Sequence, residues 1–192
     1  ARQHGVIVAS DECYAELGWD VEDIPSILDP RVCGGSHDGL LAVYSTSKQS
    51  NLAGYRAAFV AGDPALIAGL VEVRRHAGMM VPGPVQAAMT VALRDDEHVA
   101  DQRLRYGVRR EILIEALEGV GLRIEHSEAG LYLWATRDED CWDTVGWFAE
   151  RGILVGSGSF YGEAGRRHVR VALTATDERI AAAAGRLSVG SH

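Results

Sequence analysis

The segment YSTSK at residues 44–48 contains Lys48, the single lysine of the chain. All the others among the 19 lysine and arginine side chains are arginine. Arginine stays protonated in proteins, whereas lysine can lose its proton when it is desolvated or lies near another cation. A free amine is a nucleophile and forms a Schiff base with an aldehyde. The segment therefore predicts amine chemistry at Lys48. The composition also leaves open that lysine is simply rare here and that Lys48 has no special role.

Two of the candidate residues follow predicted buried strands. Residues 6–10 (VIVAS) form an apolar run of the kind that fits a parallel strand covered on both faces, and Asp11 follows it. Residues 40–44 (LLAVY) repeat the pattern and lead towards Lys48. Binding residues gather beyond the carboxyl ends of parallel strands. Asp11 and Lys48 both occupy that kind of position.

The spacing of apolar residues in the first half predicts an α/β fold. A third short strand is expected at residues 57–61, and helical patterns follow at Pro64–His76 and at residues 84–94. Strands that alternate with helices indicate layers built on a mainly parallel sheet. We therefore predict that residues 1–95 belong to one α/β domain.

A different pattern begins at residue 96. Residues 96–118 form a long, charge-rich helical pattern, closed by Gly119 and Gly121, which is typical of a helix that connects two domains. Short, partly alternating strands and two helices follow, so we predict a smaller α+β domain within residues 96–192. The strands are expected at residues 122–125, 131–136 and 168–173, and the helices at residues 141–151 and 177–187.

Composition and charge restrict the classes of partner. The formal net charge is −8 and no dense basic block is present, so neither nucleic acid nor an anionic membrane surface is favoured. Small molecules or other proteins are the expected partners. Three scattered cysteines without a CxxC pair suggest neither a disulfide framework nor a zinc site. No apolar run reaches the length of a membrane span, and a reducing cytoplasm is the expected compartment.

The segment STSKQSNLAGYRAA at residues 45–58 resembles the lysine-site signature of the class I/II pyridoxal-phosphate-dependent aminotransferases of fold type I. The similarity extends to SDECY at residues 10–14 and to HVRV at residues 168–171, so it covers essentially the whole chain. It implies the later part of a large, mainly parallel cofactor-binding domain, then a connecting helix and a small α+β domain. It also implies amino transfer between an amino acid and a 2-oxo acid, with pyridoxal phosphate as cofactor.

The resemblance assigns a role to each matching residue near the lysine. Lys48 would be the catalytic residue, which binds the cofactor covalently and then moves a proton between substrate and cofactor. Asp11 would keep the pyridine nitrogen protonated, and Tyr14 would donate a hydrogen bond to the phenolic oxygen of the cofactor. Each also has a plainer interpretation, since an aspartate here can cap a turn and a tyrosine can pack.

Three further residues match the phosphate-binding positions of the family. Ser45 and Ser47 would supply hydroxyl hydrogen bonds, and the guanidinium of Arg56 would give a charged, bidentate contact to the phosphate oxygens. Without the resemblance, the two serines fit a polar turn after a strand, and Arg56 fits a surface position.

Arg170 is the candidate for substrate binding. It lies on an alternating strand in which Val169, Val171 and Leu173 share one face, so its side chain points the other way. The pattern alone favours a solvent-facing arginine, whereas the resemblance implies that Arg170 holds the α-carboxylate of the substrate. The preceding segment GSGSFYG, at residues 156–162, has glycine and serine where the family commonly has a bulkier residue and proline, which predicts a looser loop.

A narrower resemblance concerns the substrate and the extent of the protein. EAGLYLW at residues 128–134 and GILV at residues 152–155 are most similar to the N-succinyldiaminopimelate aminotransferases of bacterial lysine and diaminopimelate synthesis. This predicts N-succinyl-diaminopimelate as donor and 2-oxoglutarate as acceptor. The family's upstream cofactor-binding segments are not found, so we expect the C-terminal half of a longer enzyme, inactive alone. The family also implies a homodimer, with the loop at residues 76–84 near the partner.

Two other functions are compatible with parts of the sequence. Ser45 and Lys48 satisfy S-x-x-K, in which the serine of an acyl enzyme attacks and the lysine assists. The companion S-D-N and K-T-G elements are not found, and K-T-G is impossible with one lysine. The third possibility is a non-catalytic interaction fragment that keeps the aminotransferase scaffold.

Overall fold

The computed structural model describes residues 1–21 and 23–188. The described chain forms two compact units, of which the first spans Ala1–Gln102 and the second begins at Arg103. A long helix, Glu97–Gly119, begins in the first unit and ends in the second. The domain boundary expected after residue 95 stays a prediction.

A small sheet organises the first unit. Strand β1 (Val8–Asp11) pairs in parallel with β2 (Leu40–Ser45), and β2 pairs antiparallel with β3 (Ala58–Gly62). The three predicted strands are confirmed with small shifts at their ends, and so is the α/β class. The described part of the sheet is mixed rather than mainly parallel. The chain between β2 and β3 holds only short helical turns, whereas a parallel return needs a longer crossover.

The helix that begins at Pro64 starts where local sequence signals place it. Asp63 precedes Pro64, and its carboxylate accepts hydrogen bonds from the backbone N–H groups of Ala65 at 2.8 Å and Leu66 at 3.3 Å. The helices that begin in the first unit are α1 (Pro30–Cys33), α2 (Thr46–Gln49), α3 (Pro64–His76), α4 (Gly83–Ala92) and α5 (Glu97–Gly119).

No helix within the two described ranges is long and apolar enough to cross a membrane.

Much apolar surface of the first unit is exposed. Neither α3 nor α4 has a buried residue. Met79 and Met80, between these two helices, are each 51% exposed, so neither fills the core of this unit. Strand β1 lies at the edge of the described sheet. The exposed apolar residues of α3, α4 and the chain around them are Leu70, Val71, Val73, Met79, Met80, Val91 and Leu93.

An antiparallel sheet and its helices form the second unit, which confirms the predicted α+β class, although the short strand at residues 156–157 was not predicted. The strand order is β4-β5-β7-β6, and each neighbouring pair is antiparallel. Side chains from one face of this sheet and from the helices make a dense core, in which Leu133 and Val169 are fully buried and Phe148 nearly so. The elements are β4 (Arg123–Glu125), β5 (Tyr132–Thr136), α6 (Cys141–Glu150), β6 (Gly156–Ser157), β7 (Val169–Ala172) and α7 (Asp177–Ser188).

The first residues of the segment 156–162 are held by strand pairing and close packing, and the prediction that this loop is looser than is usual in the family stays a prediction. Gly156 pairs with Arg170 and Ser157 with Val169. The Ser157 side chain is buried and accepts a hydrogen bond from the backbone N–H of Ser159 at 3.3 Å. A Cβ at Gly158 would lie closer than 3.0 Å to two backbone carbonyl oxygens. Close backbone packing, which only glycine permits here, therefore fixes the segment without the usual proline.

Candidate active site

Asp11 lies at the carboxyl end of β1. It pairs with Val43 of β2, and the backbone N–H of Glu12 donates to the Val43 carbonyl oxygen at 2.9 Å. The Asp11 Oδ1 atom accepts the backbone N–H of Cys13 at 3.1 Å. The hydrogen bond from the Cys13 thiol, with that from the Cys13 backbone, lowers the pKa of Asp11 below its usual value. Asp11 is therefore an ionised carboxylate at neutral pH.

Lys48 lies at the same edge of the sheet because β1 and β2 run in the same direction. Ser45 ends β2 and caps α2, where its Oγ accepts the backbone N–H of Ser47 at 3.2 Å. One turn of helix then presents the partly buried Lys48 side chain. Its Nζ lies 5.8 Å from the ring centroid of Tyr14, which follows Asp11 in the chain. The structure thus brings Asp11, Tyr14 and Lys48 together.

The hydroxyl groups of Ser45 and Ser47 form a pair beside the lysine. Their Oγ atoms are 2.8 Å apart, and Ser45 Oγ lies 3.0 Å from the carbonyl oxygen of Ala57. A hydroxyl has one proton, so when Ser45 donates to Ala57 it cannot also donate to Ser47, and a hydrogen bond between the two hydroxyls must then come from Ser47. The Ser47 hydroxyl is therefore the one that can turn to another acceptor without breaking the contact with Ala57. The contact with Ala57 also leaves Ser45 poorly prepared to act as the nucleophile of an acyl enzyme.

Arg56 is placed near these serines by the backbone, but its side chain does not reach them. Ser45 pairs with Ala58, two residues beyond Arg56. Arg56 is exposed, has a left-handed φ of 53°, and donates from Nη1 to the carbonyl oxygen of Ala53 at 2.9 Å. Non-glycine residues in this conformation are uncommon and are often found at functional sites. A phosphate contact would require a different side-chain rotamer.

Arg170 lies in the second unit, on β7. Val169 and Val171 are buried, and Arg170 is on the opposite face of the strand, as the alternation predicts. Its guanidinium carbon lies 4.2 Å from the ring centroid of Tyr132, and its Nη1 donates to the hydroxyl of Tyr161. The Nε atom is buried and has no hydrogen-bond partner within the described residues. An unpaired buried donor is costly, so a carboxylate that bound the guanidinium after a shift of the Arg170 side chain would relieve that cost.

Sequence reasoning missed two residues of the first unit that support the site. Cys13 fixes Asp11, and the signal for it was local, because an aspartate commonly accepts from the backbone two residues later. Gln49, next to Lys48, is buried, and its Oε1 accepts the Tyr44 hydroxyl at 2.7 Å. Burial raises the pKa of Tyr44 to about 12, so this phenol remains a donor. No sequence pattern distinguishes this pairing.

We expect the Cys13 thiol to react slowly with iodoacetamide. Burial, together with the hydrogen bond to Asp11 and its charge, raises the pKa of Cys13 to about 11. At pH 8 the thiolate fraction is then about 100-fold below that of an ordinary cysteine, and the greater nucleophilicity of the more basic thiolate recovers about tenfold. The net rate should be about tenfold lower in folded protein than in urea, measured by mass spectrometry of the peptide containing Cys13.

Neutralising Asp11 should reverse much of this protection. Asp11→Asn removes the charge and the carboxylate acceptor, so the Cys13 thiol should react several-fold faster, whereas Asp38→Asn, which removes one distant exposed carboxylate, should change nothing. Cys33 and Cys141 are buried and should not compete for reagent. Equal rates for Cys13 in folded and unfolded protein would contradict the arrangement.

Comparison with known proteins relates this geometry to one family. The family model described as aminotransferase class I and II matches residues 1–187. The 4-dedimethylamino-4-oxo-anhydrotetracycline transaminase of Streptomyces rimosus is 63% identical over 188 residues, which cover 98% of this chain and 52% of that protein. The LL-diaminopimelate aminotransferase of Gloeobacter violaceus is 34% identical, covering 97% of this chain and 48% of that protein. The chain thus spans about half the length of these relatives.

A solved structure shows the same fold. The N-succinyldiaminopimelate aminotransferase of Mycobacterium tuberculosis superposes with a TM-score of 0.83 over 95% of this chain and 49% of that one. The sequence identity is 23%, so this likeness concerns the fold alone.

Proposed function

Because this chain belongs to the class I and II aminotransferases, which use pyridoxal phosphate, we propose that the protein containing it transfers an amino group between an amino acid and a 2-oxo acid. One observation carries the proposal. The amine of the partly buried Lys48 and the ionised carboxylate of Asp11 lie at one edge of the sheet, with the ring of Tyr14 beside the amine.

The residues at this edge fit pyridoxal phosphate. A protonated pyridine nitrogen needs an ionised carboxylate, and the hydrogen bonds from Cys13 keep Asp11 in that form. The Ser47 hydroxyl, which can turn to a new acceptor, and Ser45 beside it suit phosphate oxygens, and Arg56 can add a charged contact from the adjoining turn. The Tyr14 hydroxyl can donate a hydrogen bond to the phenolic oxygen of the cofactor.

The bound cofactor supplies an electron sink, which stabilises negative charge on the substrate Cα. Lys48 does what no arginine could do. Its amine would condense with an aldehyde and release water, and once freed the same Nζ would take the proton from Cα and return it to another carbon. Asp11 would hold the proton on the ring nitrogen. The single lysine of the chain is thus both anchor and general base.

Arg170 is the proposed ligand of the substrate α-carboxylate. The ring of Tyr132 and the hydroxyl of Tyr161 hold its guanidinium, and the buried Nε still lacks a hydrogen-bond partner within the described residues. A carboxylate bound to the guanidinium could supply that partner once the Arg170 side chain shifts to expose Nε.

Two substrates are proposed, and an assay can decide between them. The segments at residues 128–134 and 152–155 favour N-succinyl-diaminopimelate with 2-oxoglutarate, and the similarity to LL-diaminopimelate aminotransferases supports a donor of this kind. The 63% identity to the Streptomyces rimosus transaminase favours the ketone of a 4-oxo-anhydrotetracycline as acceptor instead. Steady-state kcat/KM on the full-length protein would discriminate between N-succinyl-diaminopimelate with 2-oxoglutarate and the tetracycline ketone with its best amino-acid donor. Turnover of a different donor and acceptor at a much higher kcat/KM would exclude both proposals.

We further propose that the active protein is longer than this chain, that it is a homodimer, and that it works in the cytoplasm. The apolar residues around α3 and α4 are exposed, which supports burial of this surface by another part of the protein or by a partner. Free cysteines fit a reducing compartment. If the full-length protein sediments as a monomer, the proposed homodimer is contradicted.

Covalent trapping tests the proposed chemistry. We expect pyridoxal phosphate followed by borohydride to label Lys48 stoichiometrically, with lower yield in Asp11→Asn and Arg56→Ala variants, as read by peptide mass spectrometry. The single lysine leaves the N-terminal amine as the main competing site. Absence of the label from this chain, but its presence in the full-length protein, would show that the missing segments are needed. Its absence from both would favour a non-catalytic role.

A further inference from the structure

His98, in the first turn of α5, contacts the segment that carries Lys48. Its Nε2 lies 2.9 Å from the Oγ of Ser50, a residue 48 positions earlier in the chain. On the other side of the ring, Nδ1 lies 3.1 Å from Asp95 Oδ2. Asp95 is fixed in turn, because its Oδ1 accepts the backbone N–H of Glu97 at 3.1 Å and of His98 at 3.4 Å. The imidazole is therefore held between a carboxylate and a hydroxyl.

The charge on the Asp95 carboxylate favours one tautomer of the His98 ring. Backbone hydrogen bonds from His98 and Glu97, together with the nearby His98 ring, lower the pKa of Asp95, so it is charged at neutral pH. The contact between Nδ1 and Asp95 has the distance of an ion pair without the angle of a hydrogen bond, so its effect is electrostatic. A nearby negative charge favours the proton on Nδ1, which leaves Nε2 to accept from the Ser50 hydroxyl.

Ser50 closes the short helix of Lys48. It is the residue after α2, and its backbone N–H donates to the carbonyl oxygen of Thr46 at 3.0 Å, as does that of Leu52 at 3.3 Å. Four helical residues are too few to be stable alone. Side-chain contacts must therefore fix this turn, and at its start Ser45 supplies one to Ala57. At its end, Gln49 accepts from the Tyr44 hydroxyl, and His98 contacts Ser50 just beyond the helix.

We propose that His98, held by Asp95, is a positioning residue that fixes the Lys48 turn through Ser50 and so sets the location of the reactive amine. Lys48 lies two residues before Ser50 within the same turn, so a change in this cap moves the backbone from which the amine extends. The proposal rests on the function proposed for Lys48, but the contact can be measured independently of that function.

The test uses four variants of the full-length protein. His98→Leu removes the acceptor, Ser50→Ala removes the donor, the double variant removes both, and His98→Gln restores a polar group near the position of Nε2. His76→Leu is the matched control, because His76 is another histidine of the first unit, paired with Glu72 on α3. Two quantities are measured: the rate of borohydride-trapped labelling of Lys48 by pyridoxal phosphate, and hydrogen exchange of the peptide covering residues 46–52.

We expect His98→Leu and Ser50→Ala each to slow labelling and to speed exchange by about 5- to 10-fold, the usual effect of one lost hydrogen bond. The double variant should be no worse than either single variant, because all three lack the same contact. His98→Gln should return labelling to within about threefold of the unaltered protein. His76→Leu should change neither quantity.

The proposal is overturned if hydrogen exchange of residues 46–52 is unchanged in Ser50→Ala. It is also overturned if the effects of the two single variants add in the double variant. Ser50→Ala removes a single oxygen, so it keeps the test valid if His98→Leu fails to fold. If the unaltered protein is not labelled at Lys48, the proposed function fails, while exchange of residues 46–52 still decides whether His98 fixes the turn.

Discussion

Lys48→Arg is expected to lower the rate of amino transfer by about 10⁴-fold, the upper end of what a positioned general base contributes. Arginine keeps the positive charge and the hydrogen-bond donors, so a purely electrostatic role for Lys48 would survive the change. It cannot lose its proton at neutral pH and does not form a Schiff base, so both proposed tasks of the amine are lost. Single-turnover kinetics with a saturating amino donor on the full-length protein would measure the loss.

Two controls separate lost chemistry from lost structure. Arg74→Lys, on exposed α3, changes the side-chain type in the opposite direction and should leave the rate unaltered. Lys48→Ala should recover part of its rate when a small primary amine is added, because a diffusible base can occupy the vacated space. Lys48→Arg with more than a tenth of the original rate would contradict the proposed role.

Gly158→Ala is expected to destabilise the second unit by about 3 kcal/mol, at the upper end of the cost of overpacking. The new Cβ would meet the backbone carbonyl oxygens of Gly165 and His168, which cannot turn aside as a flexible side chain could. The Gly158 backbone N–H donates to the His168 carbonyl oxygen at 2.8 Å, so the clash also strains this hydrogen bond. Denaturant unfolding monitored by tryptophan fluorescence would measure the loss.

The matched control is Gly146→Ala in α6. A Cβ there meets nothing within 4 Å, and alanine is favoured over glycine in helices, so this variant should be neutral or more stable by up to about 1 kcal/mol. Gly158→Ala should also raise the KM for amino donors, since β6 pairs with β7 beside Arg170. Equal stability of the two variants would show that the segment is looser than the structure indicates.

Local sequence was sufficient for the longer helices and for most of the strands, but not for the short elements α1, α2 and β6. It also limits the chemistry available to the lysine. The start of α3 follows from Asp63 and Pro64, because capping and a fixed proline φ involve only neighbouring residues. The orientation of Arg170 follows from the two-residue period of a strand. The identity of Lys48 as an amine among arginines already limits its chemistry, since only one of these two groups can be deprotonated at neutral pH.

Tertiary structure alone decided the features that join distant residues. The antiparallel return of β3, the close approach of Gly158 to Gly165, and the contact of His98 with Ser50 each depend on backbone paths that no short window of sequence encodes. The residues involved carry no distinctive local pattern, because a glycine or a histidine fits many surroundings equally well. Sequence thus determined which groups are available for reaction, and long-range packing determined which of them are held in place.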